Sequence, residues 1–519
     1  MERNPIPFFE RRESLGAIDA IAQGSSLTIY CGAGVTIDRT GRSWAGLVTE
    51  LLPVRVGADT LPLAQADGEA ALRSIRPEEL ASAIMRNRIQ RLGARAGTWR
   101  NDRLRRALYR SDTALGSWQH GSLARDVVTL AFYSAFVGRA VRIVTSNYDT
   151  YLEAEFESLK TLWHSTPPDD IGSPGLRVWT GGSNPHRTIQ PSGEGGWVDV
   201  IYLHGRVPNA GRAGGRIVLS ENDYAETRGE VTSTIRSALD AAAVLILGAS
   251  LHDAPLVAAL SSTRDRTNRY VLTPRHADEL STHELEQVLR ERNRDLGVDT
   301  LFPDFHMQVP QFCREVIRTM NLDTPRTYGE CLYDWWEAWN ASHQSADHHG
   351  ATTLALQETL NTLRDILNAT EDEGMRLELW VRERPSKSNR RLVRWATSDA
   401  IAVESALPKF AEISQDAADS AVRAFVEGRP LHLGLDDLRP DRGNLRPESR
   451  RRWNSFLAVP VTAHHDSTLL PVGALTLAST RTRMTSSFEA LDHDTRRVAV
   501  VQLQDAGFDL VSESLAVAS

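Results

Sequence analysis

The 519-residue chain reads as an α/β protein, an open parallel sheet followed by a smaller α+β domain. Two observations predict this. Four short apolar runs each end in small or polar residues, with helical patterns between most of them. Beyond about residue 350 the pattern changes to an alternating strand, a hairpin and flanking helices. A chain of this length is also too long for one hydrophobic core.

The first run, Leu27-Thr28-Ile29-Tyr30-Cys31, stops at Gly32-Ala33-Gly34-Val35. A strand entering a turn this poor in side chains lets backbone N–H groups approach a phosphate, although a purely structural glycine turn has the same pattern. Ser43 and Trp44 precede a helix. From about Leu61 to Ala140 the pattern is helical, and Pro77-Glu78-Glu79 opens one helix with proline and acid in its first turn. Nine arginines fall between Arg86 and Arg110. Such a run reads as a solvated helix face, with a partner surface or phosphate-facing lid as the alternative.

The second run, Arg142 to Thr145, ends in Ser146-Asn147-Tyr148-Asp149. Trp179 to Gly196 is loop-like, with turn clusters at 181–185 and 191–196. The third run begins near Trp197 and ends in Leu203-His204-Gly205. The fourth, Ala243 to Leu247, ends in Gly248-Ala249-Ser250-Leu251-His252-Asp253. Ligand crevices in open parallel sheets lie outside the C-terminal strand ends, so four such endings in order describe a site. A helix, the strand Arg269 to Leu272 and further helices to about Met320 complete this part.

Tyr328 to Gly350 reads as a boundary, and Leu354 to Leu367 as an amphipathic helix suited to a dimer seam or to packing on its own domain. Met375 to Glu383 alternates as a strand, 455–461 and 470–479 form a hairpin, and a last helix runs from Ala490 to about Glu513. The expected division is 1–325, with a helical insert at about 61–140, a linker at 326–353, and a second domain at 354–519.

The net charge of −8 and pI near 6.0 give no general attraction to nucleic acid. The N-terminal residues lack a signal-peptide core, and the longest apolar stretch, around Ala241 to Leu251, falls short of the roughly 20 residues of a membrane helix. A cytoplasmic protein without a membrane partner is expected. Cys31, Cys313 and Cys331 form no Cys-x-x-Cys pair, which argues against a four-ligand zinc site and a disulfide scaffold.

Six motifs in order, Gly32-Ala33-Gly34-Val35, Ser43-Trp44, Thr145 to Asp149, Leu203-His204-Gly205, Val218 to Tyr224 and Leu247 to Asp253, resemble the sirtuin-like (silent information regulator 2-like) NAD-binding fold. The likeness covers roughly residues 10 to 320. It is nearer to the bacterial branch of anti-phage defence proteins than to protein deacylases, whose zinc module this chain lacks. The resemblance implies a Rossmann-like sheet with an inserted helical module, NAD as substrate and no metal. It implies Asn147 and His204 as the catalytic pair. Gly32, Ala33 and Gly34 fall to the diphosphate, Ser220, Gly248 and Ser250 to the adenosine side, and Val35, Trp44, Asp149, Tyr224 and Asp253 to other NAD contacts. Asp253 suits a ribose hydroxyl or a helix cap equally, and His252 is a bystander.

These residue types suit glycosidic cleavage of NAD. An amide holds hydroxyls or water without adding charge, and an imidazole takes a proton near neutral pH. Asn147 also suits a turn capping the next helix, His204 a satisfied core histidine, and Asp149 an N-cap. In the second domain, Leu457 to Val461, Pro471 to Leu477 and Phe488 resemble a GAF domain over about residues 350–519. Together the likenesses imply an NAD glycohydrolase that depletes NAD in anti-phage defence. It would be homo-oligomeric and triggered through its C-terminal domain by a phage product or a nucleotide. The alternatives are a zinc-less deacylase or ADP-ribosyltransferase, and a non-catalytic NAD or ADP-ribose sensor.

Overall fold

The computed structural model describes residues 7–40, 43–51, 53–56, 59–62, 76–109, 123–165, 172–181, 196–263, 267–274, 282–321, 327–343, 346–385, 390–399, 409–414, 417, 419–438, 453–465, 468–488 and 493–512. The turn clusters expected between 182 and 195 lie outside these residues. The strands are β1 (Ser26–Cys31), β2 (Pro53–Val56), β3 (Asp59–Pro62), β4 (Ala140–Thr145), β5 (Gly175–Thr180), β6 (Trp197–Tyr202), β7 (Ala243–Leu247), β8 (Arg269–Leu272) and β9 (Asp299–Leu301), then β10 (Met375–Arg382), β11 (Arg391–Thr397), β12 (Phe410–Glu412), β13 (Leu431–Gly434), β14 (Ser455–His465) and β15 (Thr468–Ser479).

Seven of them form a parallel sheet in the order β5-β6-β4-β1-β7-β8-β9. Side chains alternate across it. Ile29, Ile143, Val200 and Leu245 join Phe132, Phe156 and Phe312 in one buried cluster. Their successors Tyr30, Val144, Ile201 and Ile246 join Ile235, Leu256 and Leu260 on the other face. Burial on both faces is why these strands read as continuous apolar runs.

Three elements depart from the sequence reading. Strand β5 occupies the sheet edge where a loop was expected from Trp179, and none of its residues is fully buried, so it carries no apolar run. It is held by Arg177 and Trp179, which donate to Asp199 of β6 at 2.7 and 3.0 Å. Strand β9 is three residues long, too short for a pattern. Leu61 and Pro62 lie in the antiparallel β2–β3 hairpin, not in a helix. The helical module consists of Trp44–Glu50, Pro77–Leu92 and Ala96–Leu108, which share a small core with Tyr148, Val207, Ile217 and Leu219. Leu123–Phe136 packs on the main sheet instead.

The arginine run is partly anchored. Arg105 donates to the carbonyls of Pro208 (3.0 Å) and Gly211 (2.7 Å), and Arg100 to that of Ile217 (3.4 Å). The helix Ala96–Leu108 thereby holds the loop that follows His204.

The C-terminal sheet is antiparallel, in the order β12-β11-β10-β15-β14-β13. One face, with Leu377, Leu379 and Val381, packs on the helices Tyr328–His343, Ala346–Ile366 and His493–Ser512. Leu356, Leu363 and Leu367 of the amphipathic stretch are buried there, so that helix packs on its own domain, while Leu354 is exposed. Within the span expected as a linker, Cys331, Leu332, Trp335 and Trp339 belong to the same core. The other face meets Ser420–Glu427 and Met307 of the first domain, whose N–H donates to Val426 O at 3.0 Å. Among the described residues no helix is long and apolar enough to cross a membrane.

Candidate active site

The chain leaves β1 to build β4, β6 and β5 on one side, then returns to build β7, β8 and β9 on the other. Strand β1 therefore marks the switch point, where the crevice of an open α/β sheet opens. A cleft of about 930 Å³ lies there, within the range of small-molecule sites. Asn147 and His204 line it, with Gly32, Ala33, Gly34, Trp44, Asp149, Tyr224, Gly248, Ser250 and Asp253. Two expected residues stand apart. Val35 is fully buried in the first core. Ser220 caps the helix Glu221–Ala238, accepting from Asp223 N (3.3 Å) while its own N–H and hydroxyl donate to the Asp223 carboxylate at 3.0 and 2.7 Å.

The glycine turn packs against the end of β7. Gly32 N–H donates to Leu247 O at 2.9 Å and Gly34 N–H to Gly248 O at 3.0 Å. Two of the three amides assigned to a phosphate are thus committed to the end of β7. A Cβ on Gly32 would come within 2.4 Å of Gly248 O, and one on Gly34 within 2.8 Å of Gly248 Cα. Gly248 itself has φ +62°. The glycines are needed because two backbones meet side by side, and the Ala33 amide is the one left for a ligand.

Asn147 is locked from behind. Its Nδ2 donates to Gly32 O (3.2 Å) and to Thr36 Oγ1 (3.1 Å), which leaves its carbonyl oxygen for the cleft. Thr36 in turn donates to Asp149 Oδ2 at 2.8 Å, and Asp149 Oδ1 accepts from Tyr151 N at 3.2 Å, at the start of the helix Tyr151–Ser165. Asp149 is thus both a helix-start acceptor and the far end of a relay holding Asn147. Burial pushes its carboxyl up to about 6. Sequence reasoning missed Thr36, whose only signal was its place directly after the glycine turn.

His204 is buried at the end of β6, with Tyr224 edge-on 5.1 Å from its ring. Burial depresses its pKa to about 4, so the imidazole is neutral at neutral pH. Nδ1 is shut off from solvent without a hydrogen-bond partner among the described residues. Asp253 does not cap its helix; it accepts from Tyr30 Oη at 3.0 Å, and burial raises its pKa. Tyr30 was also missed, because inside an apolar strand it reads as core. Leu251, beside Ser250, holds φ +52°, a conformation costly for a branched side chain and stabilised here by Arg292 donating to its carbonyl at 2.9 Å. Arg76 and Arg228 stand on the lining, and Arg228 is exposed. Among the described residues no three His, Cys, Asp or Glu side chains gather as a metal site.

A search of curated proteins returns no match. A family model described as a SIR2-like domain matches residues 141–296, from β4 to the end of the helix Thr282–Asp295. That span holds Asn147, Asp149, His204, Tyr224 and the 248–253 turn; β1 and its glycine turn lie before it.

Proposed function

We propose that the chain is an NAD glycohydrolase, releasing nicotinamide and ADP-ribose. The observation that carries this is His204: a neutral imidazole lining the cleft, its buried Nδ1 without a partner among the described residues. Buried polar atoms are rarely left unsatisfied, so a group of this kind calls for a ligand or catalytic explanation. The SIR2-like match points the cleft toward NAD-using chemistry.

In this reading the Asn147 carbonyl accepts from a ribose hydroxyl or the attacking water, and Asp253 offers its second oxygen to a ribose hydroxyl. The bond between C1′ and nicotinamide breaks with its electron pair leaving on the pyridine, which becomes neutral. Water adds to the oxocarbenium-like carbon, and its proton passes to the neutral His204. The Ala33 amide and the rim arginines Arg76 and Arg228 serve the diphosphate. The division near residue 325, the GAF-like control domain, homo-oligomerisation and a role in anti-phage defence belong to the same proposal and rest on motif likeness.

The test is the full chain incubated with NAD alone. Nicotinamide release without an acceptor is expected, and both His204→Ala and Asn147→Ala should lower it by about 100-fold or more while the protein stays folded. Release only with an acylated or acceptor protein would turn the reading to a transferase, and no release under any condition to a sensor. Full turnover in either variant would overturn the catalytic pair.

A further inference from the structure

A second cavity, of about 650 Å³, lies where the N-terminal turn, the start of the helix Tyr328–His343 and the C-terminal sheet meet. Its aromatic wall includes Phe9, Phe305, Tyr328, Tyr333 and Phe425, with Phe9 and Tyr328 rings 4.6 Å apart. Strand β10 ends in it with Arg382. Trp380 and Arg382 alternate onto this face while Leu379 and Val381 enter the core behind.

Arg382 is an unusual side chain to find here. Its guanidinium lies beside the Tyr328 hydroxyl and 5.9 Å from the Phe425 ring centroid. Four carboxylates line the cavity, Glu10, Asp304, Glu330 and Asp334, yet none pairs with Arg382 among the described residues. Asp304 is held by Arg11, and Glu330 accepts from Thr327 N at 2.7 Å. Loss of water depresses the Arg382 pKa, and the nearby Arg390 depresses it further. Arg382 is half-buried at the end of β10, its head facing the cavity, and a cation drawn partly out of water without a counter-charge is costly.

We propose that this cavity binds a small organic oxyanion carrying a planar ring, with Arg382 forking its charged group and the aromatic wall holding the ring. A guanidinium beside aromatic surface suits that chemistry, and phosphate and carboxylate both match its fork. The ligand would touch both domains at once, since Phe9 and Phe305 come from the first and Arg382 and Phe425 from the second.

Thermal melting of the full chain tests this, with phenyl phosphate and benzoate at about 10 mM against sodium chloride of equal ionic strength. At least one should raise the melting temperature by about 2–4 °C, and the two arms separate phosphate from carboxylate. Arg382→Met keeps the apolar stem and removes the charge. Unliganded, it should melt at or above wild type, and its ligand shift should vanish. Arg382→Lys keeps the charge without the fork and should need about tenfold more ligand for half the shift. His204→Ala should keep the full shift, which separates this site from the NAD cleft. The proposal is overturned if neither compound shifts wild type, if the shift survives in Arg382→Met, or if it requires His204.

Discussion

Two buried titratable residues on one cleft push stability in opposite directions as pH falls. The His204 pKa lies near 4 against an ordinary value near 6.5, so the unfolded chain takes up its proton first. Stability from this residue is complete above about pH 6.5 and is lost as pH falls toward 4. Asp149, raised to about 6 by burial, does the reverse. Its folded form takes the proton first, so it favours folding below about pH 4 and loses that contribution as pH rises through 6. Between pH 6 and 4 the two partly cancel. Asp149→Asn should therefore lose melting temperature more steeply than wild type from pH 7 to 5, and His204→Gln less steeply. Parallel slopes in all three proteins would show that neither residue titrates as its burial implies. Asn147 and His204 were legible because polar residues directly after apolar strands stand out. Thr36 and Tyr30 were not, because what they do depends on partners more than a hundred residues away.

At the level of elements, legibility followed burial. Strands β1, β4, β6 and β7 are covered on both faces and announced themselves as apolar runs, and the β14–β15 hairpin did so by its length. The edge strand β5 and the three-residue β9 gave no period to read. The glycine turn after β1 was found, but its partner was not, since the sequence cannot reveal that a second turn packs backbone against backbone upon it. That contact makes a prediction. Gly248→Ala would put a Cβ 2.5 Å from Val35 N at a positive φ, and Gly34→Ala would press on Gly248 Cα. Strain and overpacking together should cost about 2–4 kcal/mol each in urea unfolding. By contrast, Gly229→Ala, inside the helix Glu221–Ala238 with nothing within 4 Å of its Cβ, should be neutral or stabilise by about 0.5–1 kcal/mol. If all three variants unfold alike, the turns are not in close contact.

Across the whole molecule, the two sheets are joined more closely than a linker between independent domains implies. Arg314 holds Asp126 of the first domain through Nε and Nη2, at 2.8 and 2.9 Å, and reaches Leu469 O at the start of β15 with Nη1 at 3.3 Å. Met307 lies in one buried cluster with Trp380, Leu392 and Phe425. The helix Tyr328–His343, which follows the first domain in sequence, buries Trp335 and Trp339 among residues of the second. A chain ending near Gly350 would keep that helix and lose the sheet against which it packs. Each tryptophan buries roughly 150–250 Å² of surface, so uncovering one forfeits about 4–6 kcal/mol, comparable with the net stability of many domains. The shortened protein should therefore run as an aggregate in size exclusion, bind a hydrophobic dye and melt well below the full chain. If activity is controlled from the C-terminal domain, that control acts through this shared core, and removal of the domain should damage the fold before it reports on regulation. A monomeric product ending at residue 350, with cooperative unfolding and the full-length melting temperature, would show that the sheets are energetically independent despite their contacts.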